Sequence, residues 1–400
     1  MDPITHGIAG ALIGKAFFDK RENRVSIFAA TLGAVFPDVD IFAEPFARAP
    51  LSMIRLHRGF THSFAGIPIF AFALAALTKW FCRRRGWASP SMAMLTFIYA
   101  LGIASHILLD ATTSFGTRLW NPFLPTRVEW DTLFIIDFSF TAIILVPQVA
   151  AWVFRDREKA AGRAVAMWLL FDVCGVGVWS LSAYFGYPFR FAILWIVSAV
   201  LALVFLLPLA RGSGFGISRA RWCQFGFALM LVYLAAATWA HHAALARVKD
   251  FAAGHHLEGA RLGAIPIPPS LLDWSGKIRT GDGVFQARFD LRDSAPPSFQ
   301  FMSDSPHDAY ISKAMTLPDV GVYLWFARFP VIHSYAIGDT HVVEFGDSRF
   351  NDVAQHMRTP FPFRVIFDSS GNFIAEDWAD GASGFRVRRK MRDLSTPEQR

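Results

Sequence analysis

His57-Arg58-Gly59-Phe60-Thr61-His62-Ser63 sets two imidazoles and a guanidinium beside apolar segments that would otherwise exclude them. The same conflict recurs on either side. Phe36-Pro37-Asp38-Val39-Asp40 closes one apolar run, Ser105-His106-Ile107-Leu108-Leu109-Asp110 closes another, and His6 opens the first. An ionisable group at membrane depth costs roughly 2.5–3.5 kcal/mol on insertion scales, so a cluster of them points to a site. The pattern predicts a metal centre held by a helix bundle.

The chain has 400 residues, 53% of them hydrophobic and only 18% charged, with a mean hydropathy of +0.34. That is too apolar for an ordinary soluble enzyme. Runs long enough to cross a hydrocarbon core predict helices near 4–18, 26–42, 62–82, 92–111, 133–154, 164–184, 190–210 and 222–243. The first is short and glycine-rich, which suits partial insertion, and lacks the basic flank of a signal peptide. Loops after the odd-numbered helices carry Lys15, Lys20, Arg21 and Arg24, then Lys79 and Arg83 to Arg85, then Arg155, Arg157, Lys159 and Arg163, then Arg211, Arg219 and Arg221. These outnumber Arg48, Arg55, Arg58, Arg118, Arg127 and Arg190 in the opposite loops, so the first set is expected in the cytoplasm. The net charge of +7 is thus a topology signal spread over short loops, and no nucleic-acid partner is expected. Cys82, Cys174 and Cys223 stand apart in three apolar segments and predict no disulfide framework.

Hydropathy changes near residue 244, and Ile265-Pro266-Ile267-Pro268-Pro269 cannot continue a helix. Short β-rich runs follow at 284–291, 322–329, 341–345 and 363–367. The expected architecture is an all-α integral membrane bundle over 1–243, about eight transmembrane helices, then a linker over 244–264. A mostly antiparallel, mostly-β extracytoplasmic domain over 265–392 and a polar tail over 393–400 complete it.

His106 and Asp110 are four apart on a helix, rotated by only ~40°, so one metal ion could take both. His57 and His62 are five apart, about 140° round a continuous helix, and sharing an ion would need a loop. Gly59 supplies the backbone freedom for one, and Thr61 or Ser63 can cap the helix that follows. Asp38 and Asp40, after Pro37, suit one ligand and one supporting or bridging carboxylate. In an up-down bundle His6, Asp38, Asp40, His57, His62, His106, Asp110 and Asp137 all fall at one membrane face, with Asp131 beside them. His241, His242, His255 and His256 read as a solvated linker. Mixed imidazole and carboxylate ligation favours Zn²⁺, with Mn²⁺ or Fe²⁺ as alternatives, over Mg²⁺ or Ca²⁺. The surplus of candidate ligands allows one ion or two, ~3.5–4 Å apart.

These motifs resemble the YdjM-type family of membrane-bound metal-dependent hydrolases. The likeness covers about residues 1–155: Thr5-His6-Gly7, Pro37-Asp38-Val39-Asp40, His57 to Ser63, Ser105-His106 with Asp110, Phe115-Gly116-Thr117, and Asn121-Pro122. Hydrolysis at a metal is what the resemblance implies; it supplies no substrate. The expected mechanism is attack by a metal-bound hydroxide, with Asp40 or Asp110 accepting its proton. Arg58 is expected to hold an anionic substrate group. Membrane lipids surround such a chain, and a phosphoester or lipid-linked phosphate suits a site at the bacterial inner membrane, on its extracytoplasmic side. A transporter or a metal-binding scaffold without turnover are the competing expectations; a transporter should place its ionisable groups in broken helices and paired repeats, which are not seen.

Overall fold

A computed structural model describes residues 1–18, 23–46, 51–184, 186, 189–268, 271–353, 362–379 and 386–390. Lys20, Arg21 and Arg48 of the charge pattern, and the 393–400 tail, lie outside the described residues. In chain order the helices of the first half are α1 (Pro3–Phe17), α2 (Asn23–Val35), α3 (Ser52–Leu56), α4 (Gly66–Arg85), α5 (Met92–Ala111), α6 (Phe138–Val153), α7 (Arg157–Tyr184), α8 (Ala192–Ala210) and α9 (Arg219–Gly254). The chain divides into two compact units. One comprises Met1–Asp40, Arg58–Trp239 and Pro268–Leu271, the other Ile41–His57, Ala240–Ile267 and Leu272–Arg400.

In the first unit α1 begins where Asp2 accepts a hydrogen bond from the Thr5 amide at 2.9 Å and Pro3 occupies the first turn, where no amide donor is needed. α5 begins in the same way, the Ser91 hydroxyl accepting from the Met94 amide at 3.2 Å. Small residues then let backbones meet. A Cβ added at Gly10 of α1 would come within 2.5 Å of Ala34 Cβ on α2, and one at Gly102 of α5 within 2.6 Å of the Ala30 carbonyl on the same helix. Without a hydrophobic drive between helices in lipid, such close approach is what van der Waals packing requires. It brings the end of α2 against the last turns of α5.

Three expectations are corrected here. Helix two was expected to run to residue 42, but α2 ends at Val35 and the chain continues as a 3₁₀ segment, Phe36–Phe46. Pro37 removes an amide donor and disfavours the α conformation before it. The helix expected over 133–154 starts only at Phe138, because the Asp137 carboxylate caps it by accepting from the Phe140 amide at 2.9 Å. Where eight spans were expected, six segments among the described residues are long and apolar enough to cross a membrane: Arg24–Phe42, Gly66–Arg85, Met92–Ala111, Arg157–Tyr184, Ala192–Ala210 and Arg219–Gly254. With 15 and 16 residues, α1 and α6 fall short of the ~20 residues that a ~30 Å core asks of an untilted helix.

The second unit carries the β-sheets of the C-terminal part of the chain. β1 (Arg261–Pro266), β2 (Asp273–Arg279), β3 (Gly283–Asp290) and β4 (Gln300–Ser303) form one antiparallel sheet in sequence order. After α10 (Ala309–Met315) and α11 (Pro318–Phe326), a second antiparallel sheet follows, made of β5 (Pro330–Ile337), β6 (Thr340–Asp347), β7 (Phe363–Asp368), β8 (Phe373–Ala379) and β9 (Arg386–Lys390). The run 322–329 was expected to be a strand, yet Val322 to Phe326 lie in α11. Pro318 and Asp319 open that helix, and Val320, Tyr323 and Phe326 are buried at three-residue spacing, so tertiary burial overrides the β preference of Val, Tyr, Trp and Phe. The region 244–264, read from sequence as a linker, is helical to Gly254, and β1 opens at Arg261.

Candidate metal centre

Three pieces of chain build the site in the first unit. The 3₁₀ segment after α2 supplies Asp38, a turn before α4 supplies His62, and the last turns of α5 supply His106 and Asp110. The turn is set by Arg58, whose φ of +57° is unusual for a residue with a Cβ, and by Gly59 after it. Ser63 closes it: its hydroxyl donates to the Phe60 carbonyl at 2.8 Å and accepts from the Gly66 amide at 3.1 Å, leading into α4.

His62, His106 and Asp110 are wholly buried and Asp38 nearly so. His62 Nε2 and His106 Nε2 stand 3.0 Å apart. Asp38 Oδ1 lies 3.5 Å from the first and 3.4 Å from the second, and Asp110 Oδ2 lies 3.4 Å and 3.5 Å from them. All four ligand atoms fall within 4.8 Å of one another. A tetrahedron with arms of about 2.0–2.1 Å has edges of roughly 3.3–3.4 Å, so five of the six edges already have the size that a divalent ion needs. Asp38 Oδ2 and Asp110 Oδ2 are buried with no hydrogen-bond partner. Two buried carboxylates beside two imidazoles, each with an oxygen lacking a hydrogen-bond partner, are costly unless a cation or a proton compensates them, so the donor set fits a metal ion.

The far sides of the ligands are held. His106 Nδ1 is 2.7 Å from the Ala34 carbonyl, which can only accept, so the proton belongs on Nδ1 and Nε2 presents a lone pair. His62 Nδ1 meets Asp40 Oδ2 at 3.1 Å and Thr61 Oγ1 at 3.0 Å, which directs its Nε2 inward in the same way. Asp40 Oδ2 also accepts from the Arg58 amide at 3.0 Å and from the Thr61 hydroxyl at 2.9 Å. Burial works against charge on the His62 ring, but hydrogen bonds with Asp110, Asp38 and Asp40 outweigh it and raise its pKa to about 10. An ion entering the site has to displace that proton.

Arg58 was expected to hold an anionic substrate group, and the structure places it against the ligand Asp110. Only 2% exposed, its guanidinium turns inward: Nη2 sits 2.9 Å from Asp110 Oδ1 and Nη1 donates to Thr113 Oγ1 at 3.0 Å, over the Phe115 ring. Asp110 Oδ1 also meets His6 Nε2 at 3.2 Å and the amino group of Met1. His6 stacks on His106 with ring centroids 3.7 Å apart. The structure thus gathers His6, Asp38, Asp40, Arg58, His62, His106 and Asp110. It does not gather two others. His57 caps the end of α3, half-buried and outside the group of four, with the left-handed turn at Arg58 between it and His62. Asp137 is occupied as the cap of α6 and accepts from the Tyr233 hydroxyl at 2.8 Å. Sequence reasoning missed the Ala34 carbonyl, which no side chain advertises, and Thr113, whose place three residues after Asp110 was the available signal.

No curated protein and no solved structure matches the chain. The motifs that compose the centre all fall within residues 1–185, and that stretch matches the family described as YdjM inner membrane protein.

Proposed function

We propose that this chain is a membrane-bound metal-dependent hydrolase holding one divalent ion, zinc by preference, at Asp38, His62, His106 and Asp110. The observation that carries the reading is the set of buried Nε2 and carboxylate oxygens at ligand spacing, with both imidazoles held from behind. A second ion would need Asp110 Oδ1, and that oxygen already faces Arg58 and His6, which argues for a single ion. When bound, the ion supplies Lewis acidity to water and to an ester oxygen. Around it the protein's own groups divide the work. Arg58 fixes Asp110, and Asp40 fixes His62. Asp38 Oδ2, buried and without a hydrogen-bond partner, is better placed to take a proton than Asp40 Oδ2, which accepts from Arg58 and Thr61, or than Asp110, whose Oδ1 faces Arg58 and whose Oδ2 is the oxygen at ligand spacing from the two imidazoles. A lipid phosphoester or lipid-linked phosphate suits a site built from membrane helices, and the basic loops support an extracytoplasmic orientation.

Elemental analysis of the purified chain, paired with a screen of phospholipids and generic phosphodiesters, tests this. One ion per chain, lost in His62→Ala and His106→Ala together with turnover, is the expected result. Full metal retention in both variants would remove the centre as drawn. Bound metal without turnover of any ester would remove the hydrolase reading and leave the centre standing.

A further inference from the structure

A cleft of about 680 Å3 opens in the second unit between the chain that follows α9, the β1–β2 pair and the end of α11. Arg261, Arg279 and Arg328 line it together with His256, and Glu258 is the one acid in the lining. Arg261 and Arg279 are direct partners across the antiparallel pair, so two guanidinium groups leave the sheet side by side on one face. Like charges placed directly opposite each other destabilise a ladder, and a sheet gains nothing from the arrangement by itself.

The guanidinium groups are also only partly compensated. Arg279 Nη2 is paired with Asp304 Oδ2 at 2.7 Å, whereas its Nη1 is buried with no hydrogen-bond partner. Asp304 is itself fixed, since its Oδ1 accepts from the Ile332 amide at 3.0 Å. Arg261 Nη1 meets a neutral group, the Arg328 carbonyl, at 3.3 Å. Gly263, next but one to Arg261, lets the Phe329 ring and Arg328 lie close to β1: a Cβ there would meet Phe329 at 2.6 Å and Arg328 Nη2 at 3.3 Å. The volume is that of a small-molecule site, and planar forked donors match the oxygens of a phosphate.

We propose that this cleft is an anion site that takes a small molecule bearing a phosphate group, bound by Arg261 and Arg279 across the β1–β2 pair with Arg328 at its side. It is independent of the metal centre. The bound anion screens the cross-strand repulsion and gives Arg279 Nη1 the acceptor it lacks.

The test is calorimetric titration of the full chain in a neutral detergent with two probes: inorganic phosphate and glycerophosphoglycerol, a deacylated lipid headgroup. Saturable binding is expected, weakened by roughly tenfold or more in Arg279→Gln and in Arg261→Gln, which is what one charge-assisted hydrogen bond contributes. Preference for inorganic phosphate would indicate a free or terminal phosphate as the natural ligand; preference for the diester would indicate a lipid headgroup. Should Arg279→Gln melt early because Asp304 loses its partner, Arg261→Gln at the exposed rim decides the matter. Absence of saturable binding of either probe, or unchanged affinity in a normally melting Arg261→Gln, would overturn the proposal.

Discussion

Gly102→Ala tests whether helix packing sets the geometry of the metal centre. A Cβ at this position would stand 2.6 Å from the Ala30 carbonyl and 2.9 Å from the Ala34 amide nitrogen, where ordinary contact begins at 3.4 Å. The worse of the two leaves a deficit of about 0.8 Å between backbones, which cannot swing aside as a flexible side chain can, so α2 and α5 must separate by that amount. Gly102 lies one helical turn before His106, on the same face. The hydrogen bond from His106 Nδ1 to the Ala34 carbonyl, 2.7 Å long, would then stretch to about 3.5 Å, the edge of useful range. A ligand histidine that loses its orienting acceptor costs roughly 10–100-fold in metal affinity, about 1.4–2.7 kcal/mol. Overpacking should also lower stability by about 1–3 kcal/mol. Zinc competition against a chromophoric chelator reads the first effect and thermal melting the second. Gly162→Ala on α7, where an added Cβ meets nothing within 4 Å, is the control and should change neither. Wild-type zinc affinity in Gly102→Ala would refute the link between the α2–α5 contact and the centre.

Asp40→Asn should reduce zinc affinity by roughly 10–100-fold while His62→Ala removes the ion, because the carboxylate orients His62 without belonging to the group of four; equal losses in the competition assay would make Asp40 a ligand. Metal affinity should rise with pH between 6 and 8, by about tenfold per unit, since His62, with its pKa raised to about 10, must release a proton for the ion. The metal-free protein should show the opposite trend: the His62 contribution is fully present below its unfolded value of 6.5 and is lost as pH rises through about 10. Melting curves with and without chelator would expose a flat or inverted dependence. In the β domain, Asp347→Ala should cost about 3–5 kcal/mol, because it strands the buried Arg349, whose Nε lies 2.7 Å from Asp347 Oδ2; a denaturant midpoint near wild type would show the pair to be dispensable.

The membrane class, the helical first half, the β-sheet domain and the motifs of the centre were legible in the sequence, since each rests on something local. Apolar run length reports a bilayer, and the four-residue spacing of His106 and Asp110 reports one helix face. Ionisable residues at the ends of apolar runs report a group that must be compensated. What depends on distant chain was not legible. Val322 to Phe326 read as a strand by residue preference and form a helix because Val320, Tyr323 and Phe326 find a buried face. Asp137 reads like a ligand and is a cap. His57 and His62 look equivalent in the motif, yet only His62 lies in the group of four, a choice made by the left-handed turn at Arg58. Arg58 reads as a substrate clamp, and that its guanidinium also meets Asp110, 52 positions away, is not legible from the motif. The sequence by itself determined which residue types must find partners, because the cost of burying a charge follows from chemistry alone. Only the tertiary structure decided which partners they found, because that depends on how closely Gly10 and Gly102 allow the backbones of α1, α2 and α5 to approach.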